Sequence, residues 1–297
     1  MTLSAFMQNV ANAVSLGSLY ALLAIGYTMV YGILRLINFA HGEIFMLGAY
    51  FAFYAVSVFL LPWYIAFPMA ILITAIFGVL LERVAYKPLR NAPRIAIMMS
   101  AIGASYLIQN VGILVFGGVP VSFPNIPIFS QVCKVGGISI ARVSFVIPVV
   151  TLIALAVLFY IINKTKVGTA MRAVSKDYEA ARLMGIDVNT IITFTFGIGS
   201  VMAAIGAILW GMKYPSLIPT LGLMPGLKCF IAAVVGGIGD VRGAVIGGFI
   251  IGILEIMIVA FFPDLSGYRD AFAFVLLIVI LLVKPTGLMG KSAIEKV

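Results

Sequence analysis

Charge is scarce in this chain. Only 10% of its 297 residues are Asp, Glu, Lys or Arg and 63% are hydrophobic, whereas soluble domains carry about 25% charged residues. With a mean hydropathy of +1.19, this excludes an ordinary soluble domain and indicates a polytopic, all-α membrane protein. There is one histidine, so a His-based catalytic pair is excluded, and neither an HExxH zinc site nor a GxSxG nucleophile elbow occurs. The two cysteines, Cys133 and Cys229, fall in a polar loop and an apolar run respectively, which gives no support to a disulfide framework. No catalytic or metal-binding set emerges, and an enzyme is disfavoured. The net charge of +9 does not point to nucleic acid, because the basic residues form short clusters between apolar runs without interleaved exposed aromatics. Low-complexity tracts and flexible linkers are absent, so residues 1–297 are expected to form one transmembrane domain.

A bilayer-crossing helix needs about 20 mostly apolar residues. Candidates span 9–34, 43–61, 63–81, 95–116, 143–162, 190–212, 243–262 and 268–283, and a half-length run covers 226–238. Eight or nine crossings are expected. No Lys or Arg precedes Arg35, so a cleavable signal peptide is not expected and the first span should be retained. Basic residues cluster at Arg83, Lys87, Arg90 and Arg94, at Lys164, Lys166, Arg172, Lys176 and Arg182, and at Lys284, Lys291 and Lys296. The positive-inside rule places these clusters in the cytoplasm, which puts the N-terminus, the loop 117–142 and the segment 213–225 outside.

Two segments interrupt the apolar pattern. The stretch from Arg35 to Glu43 (RLINFAHGE) mixes apolar residues with Asn38, His41, Gly42 and Glu43 and reads as a broken helix. Irregular backbone at membrane depth is tolerated only where protein packs it or it lines a cavity. The second segment, Val235 to Gly248, has six glycines, with Gly236, Gly237 and Gly239 at its start, and Asp240 able to pair with Arg242 or to cap the next helix. Its GxGxxxG spacing lacks the strand-helix-strand setting of a dinucleotide site. Gly-interrupted segments in both halves fit transporters whose half-helix ends face a solute. For His41 and Glu43 two readings stand: capping or interhelical hydrogen bonding without solute contact, or lining of a pathway. Glu255, inside an apolar run, has the same pair of readings. Gly17, Gly26, Gly32 and Gly48 read as helix-packing contacts.

The loop 163–189 is amphipathic at helical spacing. Met171, Val174, Tyr178, Ala181 and Met184 or Gly185 recur every three or four residues, and Arg172, Lys176, Asp177, Glu179 and Arg182 take other faces. Such a helix either inserts an apolar ridge into a partner's groove or lies on lipid headgroups. The segment Glu179-Ala180-Ala181 through Gly185 resembles the EAA-x-x-x-G signature of ABC importer permeases. With the N-terminal block Ser15–Tyr50, the loop Ala170–Asp187 and the C-terminal block Gly236–Glu255, the chain resembles the H-type permease subunit of high-affinity branched-chain amino acid importers.

The resemblance implies a bacterial-type inner-membrane assembly. In it, this chain and a homologous second permease form the path for a small solute, and two ATP-binding subunits hold ATP and Mg. A periplasmic substrate-binding protein delivers leucine, isoleucine or valine. Arg172, Glu179, Ala180, Ala181 and Gly185 would then couple to the ATPase, and urea or short-chain amides are the alternative cargo. The chain's closest approach to a Walker motif, Pro285 to Ser292, has Pro in place of the first Gly, so the ATPase must lie on another chain. The rival reading, an ion-coupled secondary transporter using Glu43 or Glu255, leaves the EAA-type island unexplained.

Overall fold

The computed structural model describes residues 2–90, 92–135 and 138–290; Lys291 and Lys296, and with them the end of the Walker-like tail, lie outside the described residues. In chain order the helices are α1 (Leu3–Leu34), α2 (His41–Phe53, prolonged by a π-helical turn to Val58), α3 (Trp63–Leu81), α4 (Arg94–Phe116), the single turn α5 (Pro127–Ser130) and α6 (Val143–Lys164). They continue with α7 (Lys166–Lys176), α8 (Tyr178–Leu183), α9 (Val188–Lys213), α10 (Leu223–Gly236), α11 (Val241–Phe261) and α12 (Arg269–Val283). Seven helical stretches among the described residues, containing α1, α3, α4, α6, α9, α11 and α12, are long and apolar enough to cross a membrane. The all-α polytopic architecture therefore agrees with expectation, and seven of the eight expected spans coincide with these stretches, while 43–61 falls on α2 and its π-helical turn. At 14 residues α10 is about 20 Å long, short of a bilayer core of about 30 Å, whereas the 13 residues of α2 and the 5 of its π-helical turn together span about 25 Å.

The axis of the bundle is α1, buried at every position from Ser15 to Val30. Small residues make this possible. A Cβ on Gly252 of α11 would lie 2.3 Å from the Gly17 nitrogen, and one on Gly248 2.5 Å from the Ala21 nitrogen, so these glycines set the close approach of α11 to α1. A Cβ on Gly26 would lie 2.7 Å from the Gly199 carbonyl oxygen of α9, and one on Gly48 3.1 Å from the Ala204 Cα, which gives both the expected packing role.

The structure shows which segments share the face expected to be cytoplasmic. The Arg35 guanidinium, just past α1, reaches the Ser175 carbonyl at 3.5 Å and the Tyr178 hydroxyl donates to the Ile33 carbonyl. The end of α1 thus meets the loop assigned to the cytoplasm, and its start lies at the opposite side. α9 starts at the same loop and runs the other way. The helix contacts are also paired: α1 on α11 and α9 on α3, α2 on α9 and α10 on α1, α2 on α3 and α10 on α11, α2 on α4 and α10 on α12. Exchanging α1–α4 with α9–α12 maps these contacts onto one another, as in an inverted repeat, and α5 to α8 lie between the two quartets.

On the side expected to be external, β1 (Val121–Ser122) pairs antiparallel with β4 (Ser216–Leu217), and β2 (Val132–Val135) with β3 (Ile138–Ala141). The two segments expected outside are therefore stitched together. Cys133 and Cys229 are free thiols.

Candidate functional site

The break after α1 is a turn built by side chains. Arg35 takes a left-handed φ of 53°, and Asn38 Oδ1 accepts from the Ala40 N–H at 3.1 Å and the Tyr86 hydroxyl at 2.7 Å. This Asx-type turn launches α2. The chain has folded back far enough for His41 to pack on Gly26, its ring 6.0 Å from that of Tyr27 in an edge-on pair.

α2 then begins directly against the beginning of α10. A Cβ on Gly42 would lie 2.3 Å from the Gly222 carbonyl oxygen, and one on Gly222 2.1 Å from that of Gly42; only glycine lets the two backbones meet this way. Both helices turn the positive end of their dipoles toward this junction. A cavity of about 250 Å³ opens beside it, with Tyr27, Asn38, Glu43, Ser105 and Phe230 in its wall. Glu43 is only 1% exposed. Its Oε1 accepts from the Ser105 hydroxyl at 3.3 Å, and its Oε2 has no partner.

Of the residues expected along a path, the structure brings Asn38, Gly42 and Glu43 to this cavity, while His41 turns into α1. The glycines that meet Gly42 are Gly222 and Gly226. Gly236, Gly237 and Gly239 lie at the other end of α10, where Gly236 packs on Gly243 and Gly237 on Gly290. There the Leu288 N–H donates to the Val235 carbonyl at 2.9 Å and the Met289 N–H to that of Gly236 at 2.8 Å, satisfying carbonyls that the helix end leaves open. Asp240 caps α11, accepting from the Arg242 and Gly243 N–H groups at 2.8 and 3.3 Å.

Glu255 sits in a separate buried cluster. Lys228 Nζ of α10 lies 2.6 Å from Glu255 Oε1 and 2.7 Å from Asp270 Oδ1 of α12. The Tyr20 hydroxyl is 3.3 and 3.2 Å from the two Glu255 oxygens and 3.3 Å from Lys228 Nζ. Sequence reading missed Lys228, although a lone lysine in one apolar run and a lone glutamate in another are a signal for pairing.

The coupling loop differs from the single amphipathic helix its spacing suggests. Asp177 is extended (φ −156°, ψ 118°) and separates α7 from α8. Its carboxylate accepts from the Glu179 and Ala180 N–H groups at 2.8 and 3.0 Å, an N-cap that restarts the helix. The expected apolar ridge is divided in consequence. Met171, Val174 and Ala181 are buried against the protein itself, whereas Leu183 and Met184 are 88% and 82% exposed.

Glu179, Ala180 and Arg172 are also exposed, and the Arg172 guanidinium donates to the Ile162 carbonyl at the end of α6. Gly185 turns the chain at φ 79°, and Asp187 caps α9 through the Asn189 N–H at 3.0 Å. The Thr190 hydroxyl, 2.6 Å from Asp187 Oδ2, leads the hydrogen bonds that hold this carboxyl below its ordinary value. Burial pushes the Tyr178 phenol up. Beside this turn, buried Glu82 accepts from Arg90 and, at 2.7 Å, from the Thr193 hydroxyl, and Arg90 also donates to Asn189. The end of α3 and the start of α9, both at the basic face, are joined by this network.

Residues 9–281 match the family described as branched-chain amino acid transport system / permease component. The chain is 41% identical to the high-affinity branched-chain amino acid transport system permease protein BraD of Pseudomonas aeruginosa, over 98% of each chain. It is 42% identical to the corresponding protein LivH of Escherichia coli, again over 98% of each. The solved structure of PsaBC from Streptococcus pneumoniae in complex with Fab shares the fold, with a TM-score of 0.52 at 13% identity over 94% of this chain and 92% of that one. This chain belongs to the permease components of branched-chain amino acid transport systems, and is a membrane transport subunit and not an enzyme.

Proposed function

We propose that this chain lines the translocation path of an ATP-driven importer of leucine, isoleucine and valine in a bacterial-type inner membrane. It does so beside a homologous second permease, with two separate subunits binding ATP and Mg below and a periplasmic binding protein delivering the solute. The observation that carries the coupling part of this reading is the α7–α8 elbow, which offers Leu183 and Met184 to solvent beside the EAA-type residues Glu179 and Ala180. An exposed apolar tip rimmed by charge suits insertion into a partner's groove. Its base is tied to α1 by Tyr178 and to α6 by Arg172, and Asp187 starts α9 directly after it. Closure of the ATPase pair moves the elbow, and α6 and α9 rock with it. Movement of α9 passes to α3 through the Arg90 network and to α2 through their shared contact.

The test is uptake of labelled leucine into proteoliposomes holding this chain with its second permease, ATPases and binding protein, with urea as parallel solute. Leucine uptake that disappears without ATP is expected. Urea uptake alone would reassign the cargo, and leucine uptake by this chain alone under an ion gradient would overturn ATP coupling. Glu179→Arg and Gly185→Pro are expected to lower ATP-coupled uptake with membrane insertion intact; normal uptake in both would sink the assignment of the elbow.

A further inference from the structure

Three carboxylates are deeply buried among the described residues: Glu43, Glu82 and Glu255. Glu82 has Arg90 on one oxygen and Thr193 on the other. Glu255 has Lys228 and Tyr20. Glu43 differs, because Ser105 takes Oε1 and the buried Oε2 is left without a partner, in a residue that borders the cavity. Its place in the first turn of α2 suits the helix dipole, but a dipole does not supply the missing donor. A buried polar atom of this kind calls for a ligand, water or ion. The surroundings specify what is missing. Gly222 and Gly226, at the start of α10, also border the cavity, and the remaining wall includes Ile102, Leu223, Leu227 and Phe230. One acceptor, one positive helix end and an apolar wall match a zwitterion with an aliphatic side chain. A volume of about 250 Å³ lies below the roughly 300–1,000 Å³ typical of drug-sized ligands.

Resting on the proposed function, we propose that this cavity is a solute station of the path in which Glu43 receives the α-ammonium group of the amino acid. The solute carboxylate faces the first turn of α10, and the aliphatic side chain lies along Leu223, Leu227 and Phe230. Ser105 holds the Glu43 carboxyl toward the cavity.

Two measurements on the assembled complex test this. The first is labelling of Glu43 by an apolar carbodiimide, read by mass spectrometry, in the presence of millimolar leucine or of 2-hydroxy-4-methylpentanoate, which replaces the ammonium by a hydroxyl. Leucine is expected to reduce the labelling several-fold and the hydroxy acid to leave it unchanged. Equal protection by both, or by neither, overturns the assignment. The second is ATP-driven leucine uptake by Glu43→Gln and Glu43→Asp. Loss of one charge-assisted hydrogen bond predicts a fall of about tenfold to a hundredfold in the Gln variant, with partial recovery in the Asp variant. Wild-type rates in Glu43→Gln, while the wild type imports leucine, refute the role of Glu43 and leave the importer standing. A wild-type complex that imports no leucine refutes both.

Discussion

Replacing Lys228 by methionine is the sharpest test of the packing around α10. The ammonium lies 2.6 Å from Glu255 and 2.7 Å from Asp270. At an effective dielectric of about 20, unit charges 2.6 Å apart attract by about 6 kcal/mol. Desolvation of both groups offsets part of this, and stranding one partner of a buried pair costs about 3–5 kcal/mol. Asp270 is half-exposed and keeps Arg269 at 3.7 Å, so most of the penalty falls on Glu255, left with the Tyr20 hydroxyl alone. For a chain of this size the loss corresponds to a fall in melting midpoint of roughly 6–15 °C, readable by thermal-shift gel filtration in detergent. The sign of the second step is decisive. Adding Glu255→Gln to Lys228→Met removes the stranded acid, so the double variant is expected to melt higher than the single one. A Lys228→Met protein that melts within about 2 °C of wild type, or a double variant less stable than the single, would refute the buried pair.

Gly222→Ala places a Cβ 2.1 Å from the Gly42 carbonyl oxygen; an ordinary C···O contact is about 3.3 Å, so the two helix starts must part by about 1 Å. Overpacking of this kind costs about 1–3 kcal/mol, and proteoliposome uptake should fall while the chain still inserts. Gly103→Ala, whose Cβ meets no atom within 4 Å, is the matched control and is expected to change neither. Asp177→Ala removes both N-cap bonds of the six-residue α8, at about 1 kcal/mol; Gly185→Ala strains a backbone at φ 79°, also by about 1 kcal/mol. Each is expected to reduce uptake per ATP hydrolysed, and an unchanged ratio in both would show that the elbow's shape is not needed for coupling.

The sequence by itself determined the membrane class, the placement of the seven long spans, the clustering of basic residues and the break before Glu43. These follow from composition, run length and charge position, which are properties of neighbours along the chain. Apolar residues extend from one end of α1 to the other, so length alone exposed it, while its place at the centre came from small residues whose partners on α11 and α9 are more than a hundred positions away. Only the tertiary structure decided that Gly42 meets Gly222, that Glu255 is neutralised by Lys228 and Glu43 is not, and that the contacts of the two helix quartets map onto one another. Glycine and an intramembrane charge announce a close approach or a partner without naming it, because the partner is chosen by packing. The coupling loop shows the same limit on a local scale. A spacing of three and four residues describes one helix, but the Asp177 side chain captures the next N–H groups and starts another, turning Ala181 inward and Leu183 and Met184 out.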